Sequence, residues 1–420
     1  MSFSDWEEIR LGDLVKVKHG YAFKGKFFSE TPTEDILVTP GNFKIGGGFK
    51  DEKLKYYKGE IPKDYILNPN DIIITMTDLS KMGDTLGYSA LVPFSKNKRY
   101  LHNQRIGLIE FINEDVCPQF IYWRLRAKDY QQYIVGSASG TTVKHTSPNT
   151  IRQFTFRIPL IQEQKAIADT LSALEEKIEL NNHINKNLEE MAQAIFKSWF
   201  VDFEPFQDGE FEDSDLGRIP KGWRVGTVSS YAAEMKNGST PSRKNSQYWD
   251  PHDVPWIKTG EIRNSLIIEA EEFISYLGLN NSSAKLLPKN TILIAMYGAT
   301  AGKIALLRFE STTNQACCGI ICGEKSSASY LYLWMLRNQS TIEKLAVGSA
   351  QQNLSKEIIS RLKIVIPANS ILLDFEKIVS DIHDSIETNL LQIKQLRIIR
   401  DFLLPKLMSG KIRVPFEEVV

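Results

Sequence analysis

The stretch from Gly298 to Ile304, Gly-Ala-Thr-Ala-Gly-Lys-Ile, is the part of the sequence that comes closest to a nucleotide-binding loop. A phosphate loop needs GxxxxGK followed by Ser or Thr, so that backbone amides cradle the phosphates and the hydroxyl holds magnesium. This stretch is one residue too short, and Ile304 stands where the hydroxyl is required. Its counterpart at 77–90, TDLSKMGDTLGYSA, has no lysine directly after a glycine. The pattern therefore favours a turn between two strands, and an ATPase is the least favoured of three functional hypotheses.

Other catalytic signatures do not occur in the sequence. The six histidines are scattered without an HExxH pattern, and there is no GxSxG sequence, nuclease carboxylate motif or amino-methyltransferase motif. Cys117, Cys317, Cys318 and Cys322 lie in or beside apolar stretches without paired CxxC spacing. We therefore expect buried free thiols, no metal site, no bound cofactor and no catalytic residue in this chain.

Four polar loops carry side chains suited to nucleic acid. Segments 19–26 and 237–249 occupy equivalent places, as do 140–147 and 350–357, and they mix bases, amides, hydroxyls and aromatic rings. Lys and Arg neutralise phosphates, whereas Asn, Gln, Arg and Ser can read base edges. Each loop alone reads as an ordinary polar loop, but their recurrence with changed letters is how two copies of one reader would acquire different targets. The DNA-binding candidates in and near these loops are Tyr21, Lys24, Lys26, Lys44, Lys81, Thr141, Thr142, Lys144, His145, Thr240, Ser242, Arg243, Lys244, Tyr248, Lys258, Arg263, Gln351, Gln352, Asn353 and Lys356.

A direct duplication positions these loops. β-Branched runs bounded by Gly, Pro and Asn predict short strands in each half, and one helix is expected near 118–134 and near 328–346. Each half is therefore predicted to be a mixed α+β module. The matching pairs are NDIIITM (70–76) with NTILIAM (290–296), Asn103-Gln104 with Asn314-Gln315, FIYWRLR (120–126) with LYLWMLR (331–337), and RQFTFRIP with SRLKIVIP, which end at Pro159 and Pro367.

Two long stretches without Gly or Pro follow those prolines, at 160–200 and 368–404. Apolar residues recur at steps of four and three, which predicts two helices of roughly 60 Å that pair antiparallel as a coiled coil. Asn181 and Asn185 would then face Ser385, Asn389 and Gln392. The alternative is that each helix packs only on its own module. The helix-pairing residues are Ile167, Leu171, Leu174, Ile178, Asn181, Asn185, Leu188, Ile195, Phe375, Ile378, Ile382, Asn389, Leu396 and Ile399.

Composition and charge agree with a soluble, multidomain protein. The 420 residues are 42% hydrophobic and 24% charged, the N-terminal segment is acidic, and no run approaches eighteen apolar residues, so we expect a cytoplasmic location. Residues 1–160 carry 22 bases and 18 acids and 221–367 carry 17 and 11, whereas 161–220 carry 5 and 14. Weakly basic modules joined by an acidic segment are compatible with polyanion binding by the modules.

The order of these features resembles the specificity subunit of type I restriction-modification systems. Four motifs carry the likeness: IFKSWFVDFEPF (195–206), IPKGW (219–223), GSTPSRKNSQYW (238–249) and LLPKLMSGKIRV (403–414). The first half departs from the pattern, because GYAFKG replaces the GSTP-type opening. The resemblance implies a first recognition domain at 1–159, a spacer helix at 160–200, an acidic linker at 201–222, a second recognition domain at 223–367, a second helix at 368–404 and a tail at 405–420, with internal pseudo-twofold symmetry.

The same resemblance implies a non-catalytic reader of double-stranded DNA. Two modification (methyltransferase) subunits and the restriction (motor-nuclease) subunits would bind this chain, and S-adenosylmethionine, ATP and magnesium would belong to those partners. The acidic outer face of the first helix is either a candidate docking face or a solvated face; its residues are Glu175, Glu176, Glu179, Glu189 and Glu190. The competing hypothesis is a coiled-coil adaptor that binds proteins and no nucleic acid.

Overall fold

The computed structural model describes residues 6–80, 82–112, 114–347 and 353–415, and the chain divides into two compact units. Unit one comprises Met1–Lys177 and Leu396–Val420, and unit two comprises Ile178–Gln395. The long helices run Ile161–Phe200 and Asn369–Met408. Each unit therefore contains one duplicated module and a part of both helices, whereas the boundaries drawn from the sequence separate helices from modules. The predicted α+β class, with two modules and two long helices, is confirmed.

Unit one contains a four-stranded antiparallel sheet and a five-stranded mixed sheet. The first has the order Val15–His19, Ile106–Phe111, Ile72–Thr75, Ser89–Leu91. The second has the order Phe28–Ser29, Lys55–Tyr57, Asp35–Val38, Arg99–His102, Ile66–Leu67. Two further pairs join Glu7–Arg10 to Thr155–Ile158 and Thr77–Asp78 to Lys144–His145, and the short helices are Leu11–Leu14, Pro118–Arg124, Lys128–Gly136 and Pro148–Arg152.

Unit two repeats this plan. Its five-stranded sheet has the order Glu234–Asn237, Cys317–Ile321, Ile292–Ala295, Ile304–Leu307, Ser265–Ile267, and a three-stranded sheet has the order Glu272–Ile274, Val254–Ile257, Thr312–Thr313. Arg224–Thr227 pairs with Lys363–Ile366, as Glu7–Arg10 pairs with Thr155–Ile158 in unit one. The short helices are Val228–Tyr231, Tyr276–Asn280, Ala328–Arg337, Gln339–Val347 and Lys356–Ser360, and the predicted linker contains a hairpin of Phe211–Ser214 with Gly217–Pro220.

The β-branched run of each module forms its central strand. Ile72 and Ile74 belong to the main hydrophobic cluster of unit one, whereas Ile73 belongs to a second cluster on the other face. Ile292 and Ile294 divide from Leu293 in the same way in unit two. Burial on both faces explains why these strands are continuously apolar in sequence.

The single helix predicted in each module is two helices in the structure. Pro118–Arg124 and Lys128–Gly136 are separated by Ala127, whose backbone is extended, with φ −74° and ψ 145°. Asn338 separates Ala328–Arg337 from Gln339–Val347, and its side-chain amide donates to the carbonyl of Trp334. Apolar periodicity alone did not reveal these breaks, because buried apolar residues recur on both sides of each: Leu125 and Tyr130 in unit one, and Met335 and Ile342 in unit two.

The first long helix buries the seam predicted for it. Ile167, Leu171 and Ile178 are at most 1% exposed. The remaining apolar seam residues of this helix, Leu174, Leu188 and Ile195, are half-buried. An alternation of four and three therefore describes this helix well.

The second long helix keeps part of its predicted seam and departs from it at two positions. Phe375 and Ile382 are buried and Leu396 is half-buried, but Ile378 is 42% exposed and Ile399 is 45% exposed. Assigning Ile378 and Ile399 to the seam was therefore wrong. Apolar residues stand side by side in this helix, so the sequence left its phase open. The positions that contact the core of unit two are Leu372, Phe375, Val379, Ile382 and Ile386.

A polar layer joins the two helices within unit two. The amide of Asn181 donates to Gln392 Oε1 at 2.7 Å, and Asn389 Nδ2 donates to Asn185 Oδ1 at 2.8 Å. Residue numbers rise along one helix and fall along the other through these pairs, so the pairing is antiparallel, as predicted. Ser385 lies outside the layer, because it is exposed and its hydroxyl donates to the carbonyl of Asp381 in its own helix.

The C-terminal tail packs against the start of the chain within unit one. The second long helix continues through Pro405 to Met408. Near its end, Leu407 and Met408 are buried in the same cluster as Trp6. Arg413 Nη2 donates to Glu163 Oε2 at 2.6 Å. The end of the second long helix and the residues after it therefore belong to the same unit as the first module.

Candidate nucleic-acid interface

The end of the central strand is the point where the candidate loops of each module meet. In unit one, Met76 donates its backbone N–H to the carbonyl of Arg105 at 2.9 Å and accepts from the N–H of Thr146 at 3.0 Å. Arg105 follows the Asn-Gln pair, and Thr146 belongs to the loop 140–147. Two segments distant in sequence are thus fixed to one strand end by main-chain hydrogen bonds.

Unit two contains the same node. Met296 donates to the carbonyl of Ala316 at 2.8 Å and accepts from the N–H of Leu354 at 2.8 Å. Beyond each node, the loop also pairs with the residue that follows the strand: His145 is opposite Thr77, and Tyr297 is bridged to Asn353. The equivalence of the loops, inferred from their order in the sequence, is therefore reproduced in their hydrogen bonds.

A glycine brings the opening loop of each module onto the same edge. A Cβ atom added to Gly20 would lie 2.1 Å from the carbonyl oxygen of Asn103, and one added to Gly238 would lie 2.2 Å from that of Asn314. Such distances exclude any side chain. The loops HGYAFKGK and NGSTPSRK therefore need glycine at their second position, where the chain crosses the Asn-Gln turn.

The structure thus brings most of the unit one candidates together. Tyr21 packs its ring against Phe23 and Tyr65, at centroid distances of 5.1 and 5.2 Å. His145 Nδ1 lies 3.1 Å from Thr77 Oγ1. Lys24, Lys26, Thr141 and Thr142 are exposed on the same loops, and Lys144 is half-buried. Lys81 lies outside the described residues.

Lys44 does not join this group. It lies on the turn between Phe43 and Phe49, which are bridged, and its charge is one of those that lower the pKa of Glu175 on the first long helix. The adjoining glycines at 46–48 have positive φ angles, which glycine adopts readily in a tight turn. The structure therefore associates Lys44 with the helices and not with the loop edge.

Two basic candidates of unit two are paired with carboxylates. Arg243 Nη2 lies 2.6 Å from Glu272, and its guanidinium carbon lies 3.5 Å from the centre of the Trp249 ring. Lys258 Nζ lies 3.0 Å from both Glu271 and Glu272. Burial raises the pKa of Glu272, but hydrogen bonds from Lys258 and Arg243 outweigh it, so the net shift is downward. Both bases are therefore partly neutralised where they stand.

The remaining candidates of unit two are distributed along the same loops. Thr240 Oγ1 lies 2.5 Å from Gln315 Oε1, which ties the opening loop to the Asn-Gln turn. Ser242, Lys244, Arg263 and Lys356 are exposed, and Tyr248 is half-buried. Arg263 donates from Nε to the carbonyl of Gly260 at 2.7 Å. Gln351 and Gln352 lie outside the described residues.

Sequence reasoning missed the exposed residues of the Asn-Gln turns. Asn103 Oδ1 accepts from the N–H of Arg105 at 2.9 Å, which leaves Gln104 and Arg105 exposed at the loop edge. In unit two, Gln315 is exposed in the same place. The repeated Asn-Gln pair was the signal that could have identified them, because it recurs at equivalent positions in both halves.

The stretch from Gly298 to Lys303 is the turn that its sequence favours. It connects Ile292–Ala295 to Ile304–Leu307, which are antiparallel neighbours, and Lys303 Nζ lies 3.1 Å from Glu343. A Cβ atom at Gly302 would lie 2.6 Å from the Glu343 side chain. The turn is therefore filled by the protein's own side chains.

The four cysteines are free, as predicted. Cys117, Cys317 and Cys318 are buried, and Cys322 is half-buried. Burial raises the thiol pKa of Cys318 and of Cys322 to about 12, so they are protonated at neutral pH. Among the described residues, no group of three or more His, Cys, Asp or Glu side chains could hold a metal ion, and no helix is long and apolar enough to cross a membrane.

The duplicated modules also match a known family. The family model described as the type I restriction modification DNA specificity domain matches residues 3–190 and 220–398. The chain belongs to this family. The two matched ranges each cover one module and the adjoining part of a long helix, so family membership applies to both halves of the duplication.

Individual relatives extend the likeness over the whole chain. The type I restriction enzyme HindI specificity subunit of Haemophilus influenzae is 29% identical, covering 97% of this chain and 100% of that protein. The MjaIX specificity subunit of Methanocaldococcus jannaschii is 28% identical over 78% of this chain and 76% of that protein. A crystal structure of the type I restriction-modification S subunit from M. genitalium has the same fold, with a TM-score of 0.62 at 16% identity, covering 100% of this chain and 98% of that one.

Proposed function

We propose that this chain is the DNA-specificity subunit of a type I restriction-modification complex. Each module would read one half of a bipartite, asymmetric target in double-stranded DNA. The observation that carries the proposal is the repeated node at Met76 and Met296, which assembles equivalent loops with different side chains on the same frame. Two readers of common design and different lettering fit a target with two different halves.

The chemistry of the loop edge suits base reading. In unit one, Gln104 and Arg105 are exposed on the turn whose backbone hydrogen-bonds to Tyr21 and Met76, and Lys24, Lys26, Thr141 and Thr142 are exposed on the loops held to the same strand end. Arg can donate two hydrogen bonds to guanine and Gln can pair with adenine, whereas Lys and Thr anchor the backbone phosphates. The proposed role requires no reaction on this chain, so we infer that the subunit itself is non-catalytic. A subunit that reads DNA would act in the cytoplasm.

The long helices supply the surface for the partner subunits. Leu180, Ile184 and Met191 are 51%, 37% and 46% exposed on the first helix, although large apolar side chains are costly to leave in water. Glu175 does not belong to the docking face proposed from the sequence, because it faces inward and pairs with Arg400 at 2.6 Å. We infer that two modification (methyltransferase) subunits cover the apolar residues and that restriction (motor-nuclease) subunits join them. S-adenosylmethionine, ATP and magnesium would be bound by those partners.

The experiment that tests the proposal is an exchange of the first module. The chain is produced with its modification subunit, and the methylated sites in the host genome are sequenced. We expect one bipartite motif, and we expect replacement of residues 1–157 by another such module to change one half of the motif only. A single continuous motif, or a change in both halves, would contradict modular reading. DNA binding without sequence preference would also contradict the proposal, whereas the absence of a DNA mobility shift together with salt-insensitive association would favour the protein-protein adaptor.

A further inference from the structure

The turn that follows Thr77–Asp78 exposes two large apolar side chains at the loop edge of unit one. Leu79 is 66% exposed and Met82 is 75% exposed. Exposed apolar side chains gain free energy when a partner covers them, so a matched pair on a binding edge indicates a contact surface.

This turn is firmly built. Asp78 is only 5% exposed, and its carboxylate accepts hydrogen bonds from the N–H of Ser80, the N–H of Thr85 and the hydroxyl of Thr85 at 2.6, 2.6 and 2.7 Å. The Ser80 hydroxyl in turn accepts from the N–H groups of Gly83 and Asp84, each at 2.9 Å. The backbone is thus tied down by side chains that point inward, while Leu79 and Met82 point outward.

The turn has the position of a DNA contact. It grows from the strand that pairs with Lys144–His145, immediately beyond the node at Met76. A Cβ atom at Gly83 would lie 3.2 Å from the Lys144 side chain. This lysine therefore lies beside the turn that carries the apolar pair. Phosphates on either side of a base step would meet Lys144 while the apolar tips meet the bases.

The equivalent turn of unit two carries different chemistry. It runs Tyr297-Gly-Ala-Thr-Ala-Gly302 and presents a phenol that is 40% exposed, with no Leu or Met. The same frame therefore holds an apolar pair in one module and a single aromatic hydroxyl in the other. A difference of this kind at one position is expected of residues that determine the target and not the fold.

We propose that Leu79 and Met82 are specificity-determining residues that take up the 5-methyl group of a thymine in the half-site read by the first module. The thymine methyl is the apolar group that base pairs present in the major groove, and apolar side chains recognise it by contact. This inference rests on the proposed function, because it presupposes that the loop edge reads DNA.

The test removes the methyl group from the DNA and the apolar groups from the protein. The complex of this chain with its modification subunit is titrated with a duplex bearing its own target, and each thymine of the first half-site, on either strand, is replaced in turn by deoxyuridine. We expect at least one replacement to weaken binding about fourfold, the factor that loss of one apolar carbon from a contact gives at 25 °C. A double variant, Leu79→Ser with Met82→Ser, should bind the normal target more weakly and respond to no replacement.

A matched control comes from the same unit. Phe94 is 73% exposed, and it follows Val92, whose carbonyl accepts from Asn70 at the opposite end of the central strand. Phe94→Ser should keep the full response to deoxyuridine. Thermal unfolding of all variants should coincide, because the substituted side chains are largely in solvent.

Three results would overturn the inference. Wild-type complex that binds every deoxyuridine duplex as tightly as the thymine duplex would exclude methyl recognition in this half-site. A response that persists in the double variant would assign the recognition to other residues. A double variant that binds the thymine duplex as tightly as wild type would show that neither side chain contributes to binding this half-site. Failure of the proposed function would look different, because then no bipartite target would be bound at all.

Discussion

Replacing Glu175 by glutamine should destabilise unit one substantially. Glu175 Oε2 lies 2.6 Å from Arg400 Nη1 and 3.6 Å from Arg126 Nη2, and the Arg126 side chain is only 2% exposed. Arg126 has neutral partners in Gly46 and Tyr122, but the carboxylate is the charge nearest to it. Glutamine keeps the size of the side chain and removes that charge, which leaves a buried guanidinium without compensation.

The expected cost follows from burial. Breaking a buried ion pair by removing one partner costs roughly 3–5 kcal/mol. Glu175 and Arg400 are still 17% and 15% exposed, so solvent screens the pair partly and we expect the lower end, about 3 kcal/mol. For a unit of about 200 residues each kcal/mol shifts Tm by roughly 2–4 °C, so differential scanning calorimetry at pH 7 should show a loss of roughly 6–12 °C.

The pH dependence gives a second readout. Burial raises the pKa of Glu175, but Arg126, Arg400 and Lys44 outweigh it, so the pKa lies below its ordinary value of 4.5. The folded state therefore favours the ionised carboxylate, and its contribution is fully present above pH 4.5 and is lost as the pH falls through the lowered pKa. Wild type and Glu175→Gln should thus converge in stability in acid.

The neighbouring residue supplies the control. Glu176 is exposed, so Glu176→Gln should change the unfolding free energy by no more than about 0.5 kcal/mol. If the two glutamine variants melt at the same temperature, or if their difference does not change with pH, the reasoning about Glu175 is refuted.

Two further substitutions and one insertion test other parts of the structure. Asn185→Leu alone should destabilise unit two by roughly 1–3 kcal/mol, because the amide of Asn389 loses its buried partner, whereas Asn185→Leu with Asn389→Leu should recover that loss, as a double-mutant cycle in urea would show. Gly238→Ala should destroy recognition of the second half-site and cost about 2 kcal/mol or more, whereas Gly260→Ala, with open space around it, should do neither; methylation assays and thermal unfolding would separate the two. Inserting four residues into the first long helix should change the number of base pairs between the half-sites, and an unchanged spacing in sequenced methylation sites would contradict a spacer role for the helices.

The local pattern predicted the strands and the repeat well because burial on both faces leaves a clear trace. The matching stretches 70–76 and 290–296 contain the strands Ile72–Thr75 and Ile292–Ala295, and those that end at Pro159 and Pro367 contain Thr155–Ile158 and Lys363–Ile366. The second long helix was harder, since Ile378 and Val379 are equally apolar and only packing against the module selects between them. Local sequence cannot report that choice.

The candidate site was predicted in part. The equivalent loops were predicted from their order in the sequence. The sequence did not show which basic side chains are neutralised, because Arg243 and Lys258 reach Glu272 only in the folded chain. Leu79 and Met82 were overlooked for the opposite reason. Apolar character alone does not distinguish an exposed side chain from a core residue, and the inward hydrogen bonds of Asp78 show that the turn holds both side chains outside the core.

The node at Met76 and Met296 is made of main-chain atoms alone. Any residue with a backbone N–H and carbonyl can make such bonds, so the frame does not depend on the side chains that it displays. Loop letters can therefore be replaced one by one, or a whole module can be exchanged by recombination, while the architecture survives. A protein built this way can change what it recognises faster than it changes its shape.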